Sequence, residues 1–178
     1  FQGLTALHLA SKWGHHQTAL LLLERGAKPN VTGNQGETPL HLSALWNHTL
    51  TATVLIDFGA HLDSLDQEAA SPLHFAAERG RKEMLELLLQ RGATMNNHQW
   101  TETPLHWAAH KGFPVMAEIL KKYGCSLDVP DIGGATPAHI AASRHNFSFC
   151  HFLVENHCSV LIKDKVLFLF FFFFFFKK

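Results

Sequence analysis

Apolar and polar positions along the chain recur with a period of 32 or 33 residues. One short pattern opens each period: a hydroxyl residue, then proline or alanine, then leucine or alanine, then histidine. The pattern stands at residues 5–8, 38–41, 71–74, 103–106 and 136–139. A period this regular predicts an array of one small supersecondary unit rather than a globule around one central core.

The first half of each copy has the pattern of a short helix. In the second copy, Thr38 followed by Pro39 is a helix-start signal. The hydroxyl can accept a hydrogen bond from a free backbone N–H, and proline suits the first helical turn. Leu40, Leu42 and Ala44 then supply the apolar side of the helix.

The second half of each copy predicts a turn, another helix and a loop. Asn47 can end the first helix because asparagine tolerates a left-handed conformation. The corresponding residues elsewhere are Gly14, Gly80, Gly112 and His145. A second helix is expected from about Thr49 to Gly59, with residues 54–56 as its buried block. The polar stretch 60–67 predicts an extended loop or hairpin that reaches towards the next copy.

Helices this short are not stable alone in water, so the copies must stabilise one another. We expect side-by-side stacking to bury the leucine blocks 21–23 and 87–89 between copies. The array is therefore held together by contacts between neighbours.

The Thr-Pro-Leu-His start, the central glycine and the Gly-Ala pairs at 26–27, 59–60 and 92–93 resemble the ankyrin repeat family. The resemblance covers roughly residues 3–164 in five in-phase copies. It implies an all-α repeat solenoid, a right-handed array of helix-turn-helix-hairpin repeats whose inner helices line a concave face. The predicted array is 3–165, with repeats at about 3–35, 36–68, 69–100, 101–133 and 134–165.

Arrays of this kind present an extended surface to other proteins. The resemblance thus implies a non-catalytic protein–protein interaction module that acts as a scaffold, an adaptor or a regulatory subunit. The alternative is the targeting or substrate-recruiting region of a larger enzyme or signalling protein, such as a kinase, a ubiquitin ligase or a death-fold adaptor. The chain begins without Met at the edge of a repeat, which favours a fragment of a larger protein.

In the family, the two residues before the central turn are variable and exposed on the inner helix. The second of them is Trp13, Trp46, Arg79, Lys111 and Arg144 in successive copies. Tryptophan and arginine dominate binding hot spots, so we expect a partner segment with an apolar end and an acidic end. The alternative is that the two tryptophans cover neighbouring turns or contact a preceding repeat. Trp100 is a weaker third anchor, and Trp107 is expected to pack within its helix.

Candidate catalytic and metal-binding residues do not form a recognisable site. The resemblance assigns the histidine of each opening pattern to a local structural hydrogen bond. Residues 150–151 and 157–158 are Cys-His and His-Cys pairs, without the Cys-x2-Cys or His-x3-His spacing of a zinc site. The phosphate-binding loop, nucleophile elbow and His-Glu-x-x-His motifs are absent from the sequence. We therefore predict that the protein is not an enzyme and needs no cofactor or metal.

Charge and cysteine content indicate the kind of partner and the cellular compartment to expect. The chain has 15 basic and 15 acidic residues, which does not favour nucleic acid as a partner. Three cysteines, at no disulfide-framework spacing, indicate reduced thiols and a cytoplasmic or nuclear location.

Residues 166–178 differ from the repeats, with seven consecutive phenylalanines before two lysines. The eleven apolar residues 166–176 would reach about 16 Å as a helix, against roughly 30 Å for a bilayer core, so a membrane span is not expected. A phenylalanine run is what a thymine-rich stretch encodes. We interpret the tail as disordered or as an artefact of the gene model, with a membrane-contacting tail as the alternative.

Overall fold

The computed structural model describes residues 3–96 and 101–158. These residues form ten α-helices in five pairs, and none of them lies in a β-strand. The helices are α1 Ala6–Lys12, α2 His16–Glu24, α3 Pro39–Trp46, α4 Thr49–Asp57, α5 Pro72–Glu78, α6 Lys82–Gln90, α7 Pro104–Lys111, α8 Pro114–Lys122, α9 Pro137–Ser143 and α10 Phe147–Glu155. The odd-numbered helices are the inner helices and the even-numbered helices the outer ones. Trp100 and the tail 166–178 lie outside the described residues.

Each inner helix begins with the capping arrangement that the sequence predicts. In α3 the backbone N–H of His41 donates to Thr38 Oγ1, and the backbone N–H of Thr38 donates to His41 Nδ1 at 3.1 Å. The same reciprocal capping box opens the other four inner helices. Two free donors at each helix start are thereby satisfied, which stabilises helices of only seven or eight residues.

Each inner helix ends in a left-handed turn, as the glycine pattern predicts. The φ values are +73° at Gly14, +64° at Asn47, +64° at Gly80, +73° at Gly112 and +57° at His145. Glycine adopts this conformation without steric cost and asparagine tolerates it. The turn reverses the chain, so that the outer helix runs back along its inner partner.

The histidines of the first four opening patterns also join one copy to the next, which the sequence does not predict. Because Nδ1 accepts a backbone N–H, the proton lies on Nε2, which is free to donate. His8, His41, His74 and His106 donate through Nε2 to the carbonyls of Glu37, Ala70, Glu102 and Ala135 at 2.9–3.0 Å. A single side chain thus caps its own helix and fixes the next copy.

The core lies between stacked helices, inner against inner and outer against outer. Leu55 and Leu88 are fully buried there, but each of the expected buried blocks has a member that is only partly buried or exposed. Val54 is half-buried, and Leu21 is 51% exposed. Consecutive helical residues point in different directions, so three in a row cannot all face the core. The residues at the position of Leu21 in α4 and α6, Val54 and Leu87, are partly buried, whereas no outer helix precedes α2 among the described residues.

The loops between copies also contact one another. Asn30 donates through Nδ2 to the Gly59 carbonyl at 2.9 Å and accepts from the His61 backbone N–H at 2.7 Å. The backbone N–H of Gln67 donates to the carbonyl of Gln35 at 2.9 Å. The polar loops of neighbouring copies therefore stack on one another, as the helices do.

Candidate functional site

Two parallel rows of side chains run along the inner helices. The apolar row lies within the helices and is half-buried; its members are Leu9, Leu42, Phe75, Trp107 and Ile140. The rim row lies at the helix ends and is exposed throughout; its members are Trp13, Trp46, Arg79, Lys111 and Arg144. The rim row is the set that the sequence analysis proposes for partner binding. Because it changes from aromatic to cationic along the array, its two ends offer different chemistry.

The first end of the rim row presents two tryptophan rings to solvent. Trp13 is 63% exposed and Trp46 is 49% exposed. The ammonium of Lys12 lies 5.7 Å from the centroid of the Trp13 ring, a cation–π contact on its own helix. Both side chains therefore keep about half or more of their surface in contact with solvent. Both are available as apolar contact area.

The other end of the rim row is cationic, and recessed carboxylates partly neutralise it. Glu78 accepts from Lys111 Nζ at 3.0 Å through Oε1 and from Arg79 Nε at 3.3 Å through Oε2. Its side chain is 19% exposed, against 48% for Lys111 and 53% for Arg79. Two cations therefore share one carboxylate, and the cations lie nearer to solvent.

Arg144 is held by a chain of hydrogen bonds that crosses two copies. Its Nε donates to His110 Nδ1 at 3.2 Å, and His110 Nε2 lies 2.9 Å from Glu102 Oε1. A guanidinium can only donate, so Nδ1 of His110 must accept and its proton lies on Nε2. His110 is neutral in this arrangement, and Arg144 has a neutral partner rather than a carboxylate.

These groups surround a cleft of about 320 Å³ on the inner-helix surface. Its lining residues are Glu78, Glu102, Trp107, His110, Lys111 and Arg144. Trp107 makes edge-to-face contacts with His74 at 5.3 Å and with Phe75 at 6.0 Å between ring centroids. The rings hold the indole in place while part of it faces the cleft. The site is thus an apolar ring beside a cationic rim, at the lower end of the size of ligand pockets.

The histidines of the opening patterns have structural surroundings rather than catalytic ones. Burial lowers the pKa of His74 to about 4, outweighing its hydrogen bond to the Glu102 carbonyl, which acts in the opposite direction. Burial likewise lowers the pKa of His8, His41 and His106. The capping box requires the neutral ring, because Nδ1 must accept, and the neutral form with its proton on Nε2 also makes the bond to the next copy.

The three cysteines are free and buried. Burial raises the pKa of the Cys125 thiol to about 11 and that of Cys158 to about 11, and it also raises the pKa of Cys150. A thiol is reactive as the thiolate, so these side chains act as small packed groups. Across residues 3–96 and 101–158 there is no cluster of three or more potential metal ligands. In the same part of the chain, no helix has the length and apolar content needed to cross a membrane.

Comparison with known protein families identifies the repeat. A family model of three ankyrin repeats matches residues 7–99 and again residues 92–164. The chain belongs to the ankyrin repeat family. Ankyrin repeats are general protein–protein interaction modules and are typically non-catalytic. A comparison with curated proteins finds no match to this chain.

In this ankyrin array the structure adds four cleft residues to those expected from the sequence. They are Glu78, Glu102, Trp107 and His110. A usable signal does exist in the sequence, because residues one period apart become neighbours when copies stack. Glu78 and Lys111 are 33 positions apart, and His110 and Arg144 are 34 apart. Trp107 gives no such signal, since its position holds an ordinary apolar residue in the other copies.

Proposed function

We propose that this ankyrin array is a non-catalytic protein–protein interaction module that acts as a scaffold, adaptor or regulatory subunit through its inner-helix surface. The observation that carries the proposal is the exposure of Trp13 and Trp46 on consecutive inner helices. Tryptophan is among the residue types most enriched in binding hot spots, and an exposed ring offers apolar area that a partner can bury. Solenoid proteins use this extended surface for partners.

The partner is an extended segment with an apolar end and an acidic end. Trp13 and Trp46 take the apolar end, while Arg79, Lys111 and Arg144 attract the acidic end. Support comes from the change of chemistry along the exposed rim row. Trp100 is a further proposed anchor, beyond the described residues.

A reducing compartment, cytoplasmic or nuclear, suits this function. The support is that all three cysteines are free thiols in the fold. Disulfides are uncommon in such compartments because thiol-reducing systems keep cysteines reduced.

The test compares the full chain with a Trp13→Ala, Trp46→Ala double variant against a display library of random linear peptides. We expect the wild-type chain to select peptides and the double variant to bind them at least about tenfold more weakly, since truncated hot-spot residues cost 2 kcal/mol or more. Chemical denaturation should place both proteins within about 1 kcal/mol in free energy of unfolding.

A matched control removes exposed apolar area from an outer helix and its cap. Leu50 is 64% exposed and Phe58 is 42% exposed, so a Leu50→Ala, Phe58→Ala double variant is comparable in exposure. It should retain the selected peptides. Equal loss of binding in both double variants, or a large loss of stability in the tryptophan variant, would contradict the proposal.

A further inference from the structure

The two carboxylates that line the cleft beside Trp107 already accept hydrogen bonds from neighbouring side chains. Both oxygens of Glu78 accept from cations, Oε1 from Lys111 and Oε2 from Arg79. Oε1 of Glu102 accepts from His110. A cationic ligand would have to displace these donors before it could use either carboxylate.

The positive groups of the cleft, in contrast, keep N–H donors that these contacts do not use, because an ammonium has three donors and a guanidinium five. Lys111 shares its carboxylate with Arg79, and Arg144 contacts a neutral imidazole. Among the cleft-lining residues the two carboxylates balance the two cations, and Arg79, which pairs with Glu78 outside the cleft, adds one positive charge when His110 is neutral. The carboxylates lie deeper than the cations, because the side chains of Glu78 and Glu102 are 19% and 27% exposed and that of Lys111 is 48% exposed.

The Trp107 indole forms an apolar wall of the cleft, so an acidic ligand group that binds there should have an apolar group beside it. Trp107 is held edge-on by His74 and Phe75, so its exposed part cannot turn away from the cleft without losing both contacts. A cleft of about 320 Å³ holds one or two side chains rather than a whole element. The volume of the cleft, the exposed part of the Trp107 indole and the cations Lys111 and Arg144 therefore suit one acidic side chain together with one apolar side chain.

We propose that this cleft binds an aspartate or glutamate side chain of an extended protein segment, placed between Lys111 and Arg144, with an apolar side chain two residues along the segment against Trp107, since residues two apart share a face of an extended chain. The proposal rests on the binding function proposed above and names the chemistry of one subsite. His110 acts as a positioning residue, since it orients the Arg144 guanidinium through Nδ1. Charge-assisted hydrogen bonds to both cations would fix the register of the segment.

The experiment selects random linear peptides against the full chain and against a Lys111→Gln, Arg144→Gln double variant. We expect wild-type selection to enrich an acidic residue two positions from an apolar one, and the double variant to lose that enrichment. A Lys111→Arg variant should keep it, because the charge remains. All variants carry the same tail, so any peptides that adhere to residues 166–178 cancel in the comparison.

Individual affinities make the test quantitative. An enriched peptide should bind the Lys111→Gln, Arg144→Gln variant about tenfold more weakly, and replacing its acidic residue by the amide should cost a similar factor. The two losses should not add, as expected for groups that contact each other. A matched Arg25→Gln, Lys82→Gln variant, which removes exposed cations from the outer side, should change binding less than about twofold.

The outcomes separate this inference from the broader function. Peptides that bind the wild-type chain without an acidic preference, or with one that survives in the double variant, would overturn the subsite and leave the binding function intact. Failure of the wild-type chain to select any peptide would count against both. Additive losses in the affinity cycle would show that the acidic residue binds elsewhere.

Discussion

Ala69 has a backbone conformation that suits glycine. Its φ is +59°, and the equivalent loop position in the second copy is Gly36 with φ +79°. A side chain in the left-handed region costs about 1–2 kcal/mol, of which part is offset because glycine loses more entropy on folding. We expect Ala69→Gly to stabilise the array by about 0.5 kcal/mol, measured by urea denaturation.

Gly36→Ala is the matched change in the opposite direction. A Cβ at Gly36 would lie 3.1 Å from the backbone nitrogen of Gln67 and 3.2 Å from the Cα of Asp66, so backbone would have to move. This variant should lose at least about 1 kcal/mol. If Ala69→Gly destabilised the array as well, the left-handed strain at this loop would not be the deciding factor.

At the scale of single residues, hydrogen bonds within one copy could be predicted from the sequence, and those between copies could not. The hydroxyl and the proline at residues 38–39 are adjacent in sequence to the helix they start, so the cap follows from the pattern. The carbonyl that His41 Nε2 reaches belongs to Ala70, 29 residues away. Only the stacking distance between copies brings that carbonyl within reach, and the sequence does not state that distance.

At the scale of helices, burial depends on which neighbours a helix has. Leu22 and Leu88 occupy the same position in α2 and α6, yet Leu22 is only partly buried and Leu88 is fully buried. We expect Leu88→Ala to cost about 2–5 kcal/mol, since it leaves a cavity between stacked helices. Leu22→Ala should cost less than Leu88→Ala, because part of the Leu22 side chain is already in contact with water, and urea denaturation of both variants would measure the difference. Equal costs would mean that α2 packs as the internal outer helices do.

The same dependence explains what could be predicted of the candidate site. The exposure of Trp13 and Trp46 agrees with their place before the central turn, a position that needs no knowledge of neighbours. The pairing of Lys111 with Glu78 depends on two consecutive inner helices standing side by side. Period-spaced opposite charges would have suggested this pair. The cleft itself also depends on the width of Trp107, which distinguishes that copy from the others.

At the scale of the whole molecule, the buried histidines couple stability to pH. The pKa values of His8, His41, His74 and His106 are lowered in the folded state, that of His74 from 6.5 to about 4. Between these pH values the unfolded chain binds more protons than the folded one, so stability falls as pH falls. His74 alone should contribute a loss of about 2 kcal/mol between pH 7 and pH 5, and the other three histidines add in the same direction.

Denaturation at a series of pH values measures this loss, and a His74→Gln variant isolates the share of one copy. Glutamine can complete the capping box at this helix position but does not titrate in this range. The variant should therefore be less stable than the wild-type chain at pH 7, because the buried hydrogen bond to the Glu102 carbonyl is disturbed, and should lose less on acidification. Carboxylates ionise at lower pH and add little to the slope in this range. An unchanged slope in His74→Gln would show that His74 does not contribute to the pH dependence.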